Sequence, residues 1–390
     1  MNFAARMARL GTESAFEVLA RAKRLEAEGR SVIHLEIGQP DFKTAEPICA
    51  AAYRAMQAGY TGYGPAAGLP DLRAAIADHI AATRQISVQP EQVVVMPGAK
   101  PVIFFTLLAL IEAGDEVIYP NPGFPIYESV INFVGGEAVP LPLLEAVDFR
   151  FRVEDLQARI TERTKLLILN SPQNPTGGVL TQEDLTAIAQ LAKQHDFYVL
   201  ADEIYSRMLY EADHHSILGL PEMPERTILL EGFSKTYAMT GWRLGYAVAP
   251  LAIAQKLEQL MINSNSCTAS FTQIAGIEAL SGPQTFVEEM VSEFRRRRDA
   301  IVAGLNAIEG ISCRLPQGAF YAFPNVQGLP LGDRELADYL LEKAGVAVLA
   351  GSSFGQYGQG YLRVSYANSL ENIQAALERI AQAVQPLQKG

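Results

Sequence analysis

The sequence predicts an α/β protein, with a large domain built on a mostly parallel sheet flanked by helices and a smaller α+β domain formed by both termini. Three observations predict it. Between about residues 46 and 288, short apolar runs rich in β-branched residues alternate with stretches of helical periodicity, the pattern of a parallel sheet covered on both faces. The chain has 390 residues, 49% of them hydrophobic, enough to bury more than one core. Glycines and polar side chains gather just after the apolar runs, at the carboxyl ends of the strands, where such sheets bind ligands.

Taken in order, residues 17–28 read as an amphipathic helix ended by Gly29, and 32–37 as an extended piece. The sheet strands are 93–96, 116–119, 166–169, 197–200, 227–230 and 245–248. A turn at Pro97-Gly98-Ala99-Lys100 opens an apolar helix at 102–110. From about Glu288 a long helix begins, followed by β-type pieces at 319–323 and 361–365 and helices at 334–343 and 370–383. The expected division is 1–45 and 288–390 for the small domain, discontinuous in sequence, around a large domain of 46–287.

The formal net charge of −11 argues against nucleic acid or an anionic membrane as partner, because phosphate surfaces are bound by basic ones. No apolar run is long enough to span a bilayer, and residues 1–10 lack the continuous apolar core of a secretory leader. Cys49, Cys267 and Cys313 are odd in number and far apart, which suits the reducing cytoplasm. His214 and His215 find no third metal ligand and read as a surface loop, so no metal is expected. The basic run Arg295 to Arg298 reads as a solvated helix face or a subunit contact.

The chemistry concentrates in Ser234-Lys235-Thr236-Tyr237-Ala238-Met239-Thr240-Gly241-Trp242-Arg243, just beyond an apolar strand. An amine there can form a Schiff base and a guanidinium can hold a phosphate, which are requirements of pyridoxal phosphate. That cofactor also needs a carboxylate for its ring nitrogen, donors for its phenolic oxygen, a phosphate cup and a stacking partner. Lys235 is the Schiff-base candidate and proton carrier. Burial beside Arg243 should lower its pKa, since desolvation and a nearby cation both disfavour the ammonium form. Asp202, ending the strand 197–200, is the candidate carboxylate, a helix N-cap being the alternative; its neighbour Glu203 faces away and reads as structural. Asn174, in Asn174-Pro175-Thr176-Gly177, and Tyr205 can donate to the phenolic oxygen. The turn Gly98, Ala99 and Lys100 can cradle phosphate at a helix N-terminus, completed by Ser234 and Arg243. Phe124 either stacks on the ring or belongs to the core.

These residues carry a family resemblance over nearly the whole chain. The stretches Ile37-Gly38-Gln39-Pro40-Asp41-Phe42, Tyr63-Gly64-Pro65-Ala66-Ala67-Gly68, Asn174-Pro175-Thr176-Gly177, Asp202-Glu203-Ile204-Tyr205, the Lys235 run and Arg363-Val364-Ser365-Tyr366 jointly resemble the class I aminotransferases of pyridoxal-phosphate fold type I, in the aspartate aminotransferase-like branch. The resemblance implies that Gly38, Asn174 and Arg363 meet the substrate, Arg363 binding its α-carboxylate. It implies that Tyr63 reaches the cofactor phosphate of a partner subunit, making a homodimer with shared active sites, and that the Asn121-Pro122 and Asn174-Pro175 bonds are cis. The expected activity is ping-pong transfer of the α-amino group of an L-amino acid to a 2-oxo acid, in the cytoplasm. The alternative is a pyridoxal-phosphate lyase or synthase on the same fold, of the carbon-sulfur β-lyase or aminocyclopropane-carboxylate synthase kind. Three features depart from the family pattern: Gly232 removes a hydroxyl from the phosphate cup, Phe124 stands where the aspartate enzymes typically have tryptophan, and Glu13 and Ala15 replace small hydroxyl residues near the distal carboxylate, so strict aspartate specificity does not follow from the resemblance.

Overall fold

Seven strands form the central sheet of the computed structural model, which describes residues 3–389. Met1 and Asn2, at the start of the segment read for a leader, and Gly390 lie outside the described residues. The first strand of the chain, β1 (Ile33–His34), belongs elsewhere. The central sheet consists of β2 (Val93–Met96), β3 (Glu116–Asn121), β4 (Glu137–Pro142), β5 (Thr164–Asn170), β6 (Tyr198–Asp202), β7 (Thr227–Gly232) and β8 (Gly245–Val248), in the spatial order β2-β8-β7-β6-β5-β3-β4. Strand β8 runs antiparallel to both its neighbours, and the other pairings are parallel.

Side chains alternate across this sheet with the two-residue period of a strand. Val94, Met96, Leu166, Ile168, Ile228 and Leu230 enter one core cluster, while Val93, Val95, Leu167, Leu169 and Leu229 enter the other. Both faces are therefore apolar, and helices cover both, which is why these strands read as continuous hydrophobic runs. Strand β4 has no counterpart in the sequence reading. It carries Glu137, Pro140 and Pro142 and lies at the edge of the sheet, the one position where a missing backbone donor is tolerated.

The termini come together as expected. The first α-helix, Ser14–Ala27, starts three residues before its expected position, and Gly29 follows with φ 86°. β1 pairs in parallel with β10 (Val346–Ala347), after β9 (Tyr321–Ala322) in the chain. A three-stranded antiparallel sheet joins β11 (Leu349–Ala350), β12 (Leu362–Ser365) and β9, and Ser365 N donates to Leu35 O at 2.8 Å. Helices Thr285–Asn306 and Leu370–Val384 pack on one another. The Asn121-Pro122, Ser171-Pro172 and Asn174-Pro175 bonds are cis.

Two sequence expectations are corrected. Arg297 and Arg298 do not belong to a solvated face: they are 6% and 2% exposed. Arg297 pairs with Asp41 at 2.7 Å and Glu293 at 2.9 Å, and Arg298 with Asp299 at 2.7 Å, its guanidinium lying 4.6 Å from the Tyr210 ring. Glu293 and Asp299 are helix neighbours visible in the sequence, whereas Asp41 is far away in the chain and is brought to Arg297 only by the fold, the long arginine stems being buried on the way to these carboxylates. His214 is not a surface histidine either: its side chain is 17% exposed and 3.4 Å from Glu203, and burial lowers its pKa. Among the described residues, no helix is long and apolar enough to cross a membrane.

Candidate active site

A cavity of about 630 Å³ opens at the carboxyl ends of the central strands, and most of the sequence candidates line it. Lys235 stands just beyond β7. Its Nζ donates to Gly38 O at 2.6 Å and lies 5.8 Å from the Tyr205 ring and 5.7 Å from that of Phe320. Burial, then Arg363 and Arg243, bring its pKa down to about 8. Arg243 contributes as expected, but the more distant-in-sequence Arg363 matters more.

Asp202 ends β6 and is 5% exposed. Its Oδ2 accepts from Tyr127 Oη at 2.6 Å and its Oδ1 from the Ile204 amide at 3.2 Å. Burial pushes its pKa up to about 6, against the opposing pull of those two donors. Tyr205 is buried, its hydroxyl 2.8 Å from that of Tyr321. The turn carrying Asn174 is held by Asn170, whose Oδ1 accepts the Asn174 amide at 2.9 Å and whose Nδ2 donates to Asp202 O at 3.1 Å.

Arg363, on β12, is 4% exposed. It donates to Asn174 Oδ1 at 3.1 Å and to Glu36 O, and its Cζ lies 4.5 Å from the Tyr321 ring. Its Nε has no partner among the described residues, and an orphaned buried donor of this kind is costly unless something completes it. Gly38 is required by packing: a Cβ there would fall 2.1 Å from Tyr321 Oη.

At the phosphate end, Ser234, Arg243, Ala99 and Lys100 line the cavity, with Ala99 and Lys100 at the start of the helix Lys100–Leu110. Gly98 is not on the wall. With φ +96°, it passes so close to Arg243 that a Cβ would meet Nη2 at 2.1 Å, so its role is to admit the guanidinium. Phe124 lines the cavity, edge-on to Tyr127 at 5.7 Å. Tyr63 stands apart from the cavity and is 93% exposed.

Two residues escaped the sequence reading, Tyr127 and Tyr321, and Asn170 reads in the sequence only as the polar start of the turn after its strand, with no role of its own. The two tyrosines sit in apolar stretches and look like core residues until the fold brings them to Asp202 and Arg363. The residues present fit pyridoxal phosphate: a desolvated amine, a buried carboxylate, and a cationic pocket at a helix N-terminus surround one cavity.

Known proteins resemble this chain over nearly its whole length. The family described as aminotransferase class I and II matches residues 30–380. The chain is 39% identical to an aspartate aminotransferase of Musicola paradisiaca, over 98% of this chain and 96% of that protein. It is 38% identical to aromatic-amino-acid aminotransferase 2 of Thermococcus litoralis, over 90% of each. Among solved structures, the aspartate aminotransferase of Thermus thermophilus with maleate superposes with a TM-score of 0.95 at 38% identity, covering 98% of this chain and all (100%) of the other.

Proposed function

From the premise that this chain belongs to the class I and II aminotransferases, we propose how its residues divide the reaction among them. The enzyme is pyridoxal-phosphate-dependent and moves the α-amino group of an L-amino acid to a 2-oxo acid; the lyase or synthase alternative is not favoured. When bound, the cofactor supplies an aldehyde carbon and a ring that withdraws electrons.

Lys235 holds the cofactor through its uncharged amine and carries the proton taken from the substrate α-carbon. Asp202 presents its carboxylate to the ring nitrogen, oriented by Tyr127. Asn174 and Tyr205 donate to the phenolic oxygen, and Phe124 covers the ring face. Ser234, Arg243 and the amides of Ala99 and Lys100 take the phosphate, with Gly98 making room for Arg243. Arg363, steadied by Asn174, takes the substrate α-carboxylate in the space kept open by Gly38. The single observation that carries this reading is the Lys235 amine, desolvated, with its pKa near 8, in one cavity with Asp202 and Arg363.

The same proposal includes a homodimer in which Tyr63 reaches the partner's phosphate site. It is supported by the exposure of Tyr53, Met56, Tyr60 and Tyr63, at 59%, 42%, 44% and 93%, in one short stretch of chain, since clustered apolar exposure marks interaction surfaces. The domain division at 45 and 287 and a cytoplasmic location belong to it too, the latter supported by three unpaired cysteines. The test is complementation: Tyr63→Ala and Lys235→Ala proteins, each inactive alone, are mixed and allowed to exchange subunits. Recovery of up to one active site per mixed dimer is expected, and no recovery despite proven exchange overturns the shared site.

A further inference from the structure

Four basic side chains line the active-site cavity: Lys100, Lys235, Arg243 and Arg363. Three of them have roles in the proposed reaction, Lys235 in the cofactor amine linkage, Arg243 at the phosphate and Arg363 at the α-carboxylate. Among the cations that the described residues of this chain bring to the cavity, the Lys100 ammonium is left to receive an anionic substrate side chain. It is not free. Glu13, 87 residues away in sequence, accepts from Lys100 Nζ, which also lies 5.5 Å from the centre of the Phe124 ring.

Glu13 is held where it is. It directly precedes the helix Ser14–Ala27, and Gly11 N, two residues earlier, donates to Ser129 Oγ at 2.8 Å. Its side chain is only 18% exposed, against 45% for Lys100. Ala15 and Phe16, from the same segment, and Ile37 add apolar wall beside the pair. A second carboxylate entering here would share one ammonium with Glu13, and a partly buried charge without its own partner is expensive. A cationic side chain would face Lys100 and have to displace it from Glu13.

We propose that Glu13 is a specificity-determining residue: by taking up the charge of Lys100 it makes the side-chain pocket neutral, so the enzyme prefers amino acids and 2-oxo acids with uncharged side chains over dicarboxylic and basic ones. Both half-reactions use this cavity, so donor and acceptor meet the same pair. The inference rests on Arg363 as the α-carboxylate site.

The test uses the holoenzyme and follows conversion of the cofactor absorbance band by L-leucine, L-phenylalanine, L-aspartate and L-lysine, with binding of maleate, an unreactive dicarboxylate, read from the same band. The wild type should use leucine or phenylalanine at least about ten-fold more efficiently than aspartate or lysine. Glu13→Gln should release Lys100, raising the aspartate-to-leucine ratio of kcat/KM and tightening maleate each by roughly ten-fold, and adding Lys100→Met should reverse both gains. A wild type that prefers aspartate or lysine, or a ratio and a maleate affinity unmoved by Glu13→Gln, overturns the proposal. Arg363→Lys separates the two levels: if leucine and aspartate use both survive it, the α-carboxylate assignment falls, whereas an unmoved Glu13→Gln ratio removes the specificity inference alone.

Discussion

Asp202 and Glu203 are consecutive, yet their carboxylates serve different places: Asp202 accepts from Tyr127 at 2.6 Å in the cavity, while Glu203 accepts from Arg84 Nη2 at 2.8 Å behind it. The alternation of a strand end achieves this separation. Arg84 also donates to Glu231 at 3.0 Å, which lies on β7 four residues before Lys235. One buried guanidinium thus ties together the two strands that present the amine and the carboxylate.

Arg84→Met should therefore destabilise the protein substantially. Its side chain and those of both glutamates are 3–5% exposed, and removing one partner of a buried ionic cluster costs about 3–5 kcal/mol. Urea unfolding of wild type and variant measures this. A loss under about 1 kcal/mol, the range of a surface pair, would show that the cluster relaxes around the gap.

The cofactor-free protein should capture pyridoxal phosphate faster as pH rises through about 8. Burial and two arginines depress the Lys235 pKa, so the reactive free amine becomes the major form above that pH, not above the ordinary lysine value near 10.5. Stopped-flow absorbance against pH checks it, with Lys235→Ala giving no borohydride-trapped adduct. A midpoint near 10.5 would mean that the amine is solvated.

Asp202→Asn should fold normally but transfer the α-proton far more slowly, because an amide cannot balance a positive ring nitrogen. The wild type adds a pH signature. The folded-state pKa of Asp202 is raised to about 6, so in the cofactor-free protein this group's contribution to stability is greatest below its unfolded value and is lost as pH rises through 6. Cofactor affinity runs the other way, weakening as pH falls below about 6 while the fold holds. Equilibrium binding across that range should fall more steeply in wild type than in Asp202→Asn, which keeps only the loss due to protonation of Lys235; the same slope in both would place the second titrating group elsewhere.

Arg363→Lys should weaken use of every amino donor by roughly ten-fold or more, since a hydrogen bond to a charged group contributes on the order of 1.5–3 kcal/mol. Lysine keeps charge without the planar fork that can grip a carboxylate with two parallel bonds. Cofactor affinity should stay nearly constant. Loss of the cofactor with amino-acid affinity intact would exchange the roles of Arg363 and Arg243.

What the sequence by itself determined is whatever depends on near neighbours. Apolar runs marked six of the seven central strands because both faces of this sheet are buried; glycine, proline and asparagine marked the turns that carry Lys235 and Asn174, and Asp202 was marked by its place at the end of a strand run. Strand β4 was hidden because an edge accepts Pro140 and Pro142, which local propensity counts against a strand. Only the tertiary structure decided the partners: Tyr127 on Asp202, Tyr321 beside Arg363 and under Gly38, Arg84 between two glutamates, and Glu13 on Lys100. Each of these pairings joins segments far apart in the chain, and whether two such side chains meet depends on how whole helices and strands are packed, for which a one-dimensional pattern carries no signal.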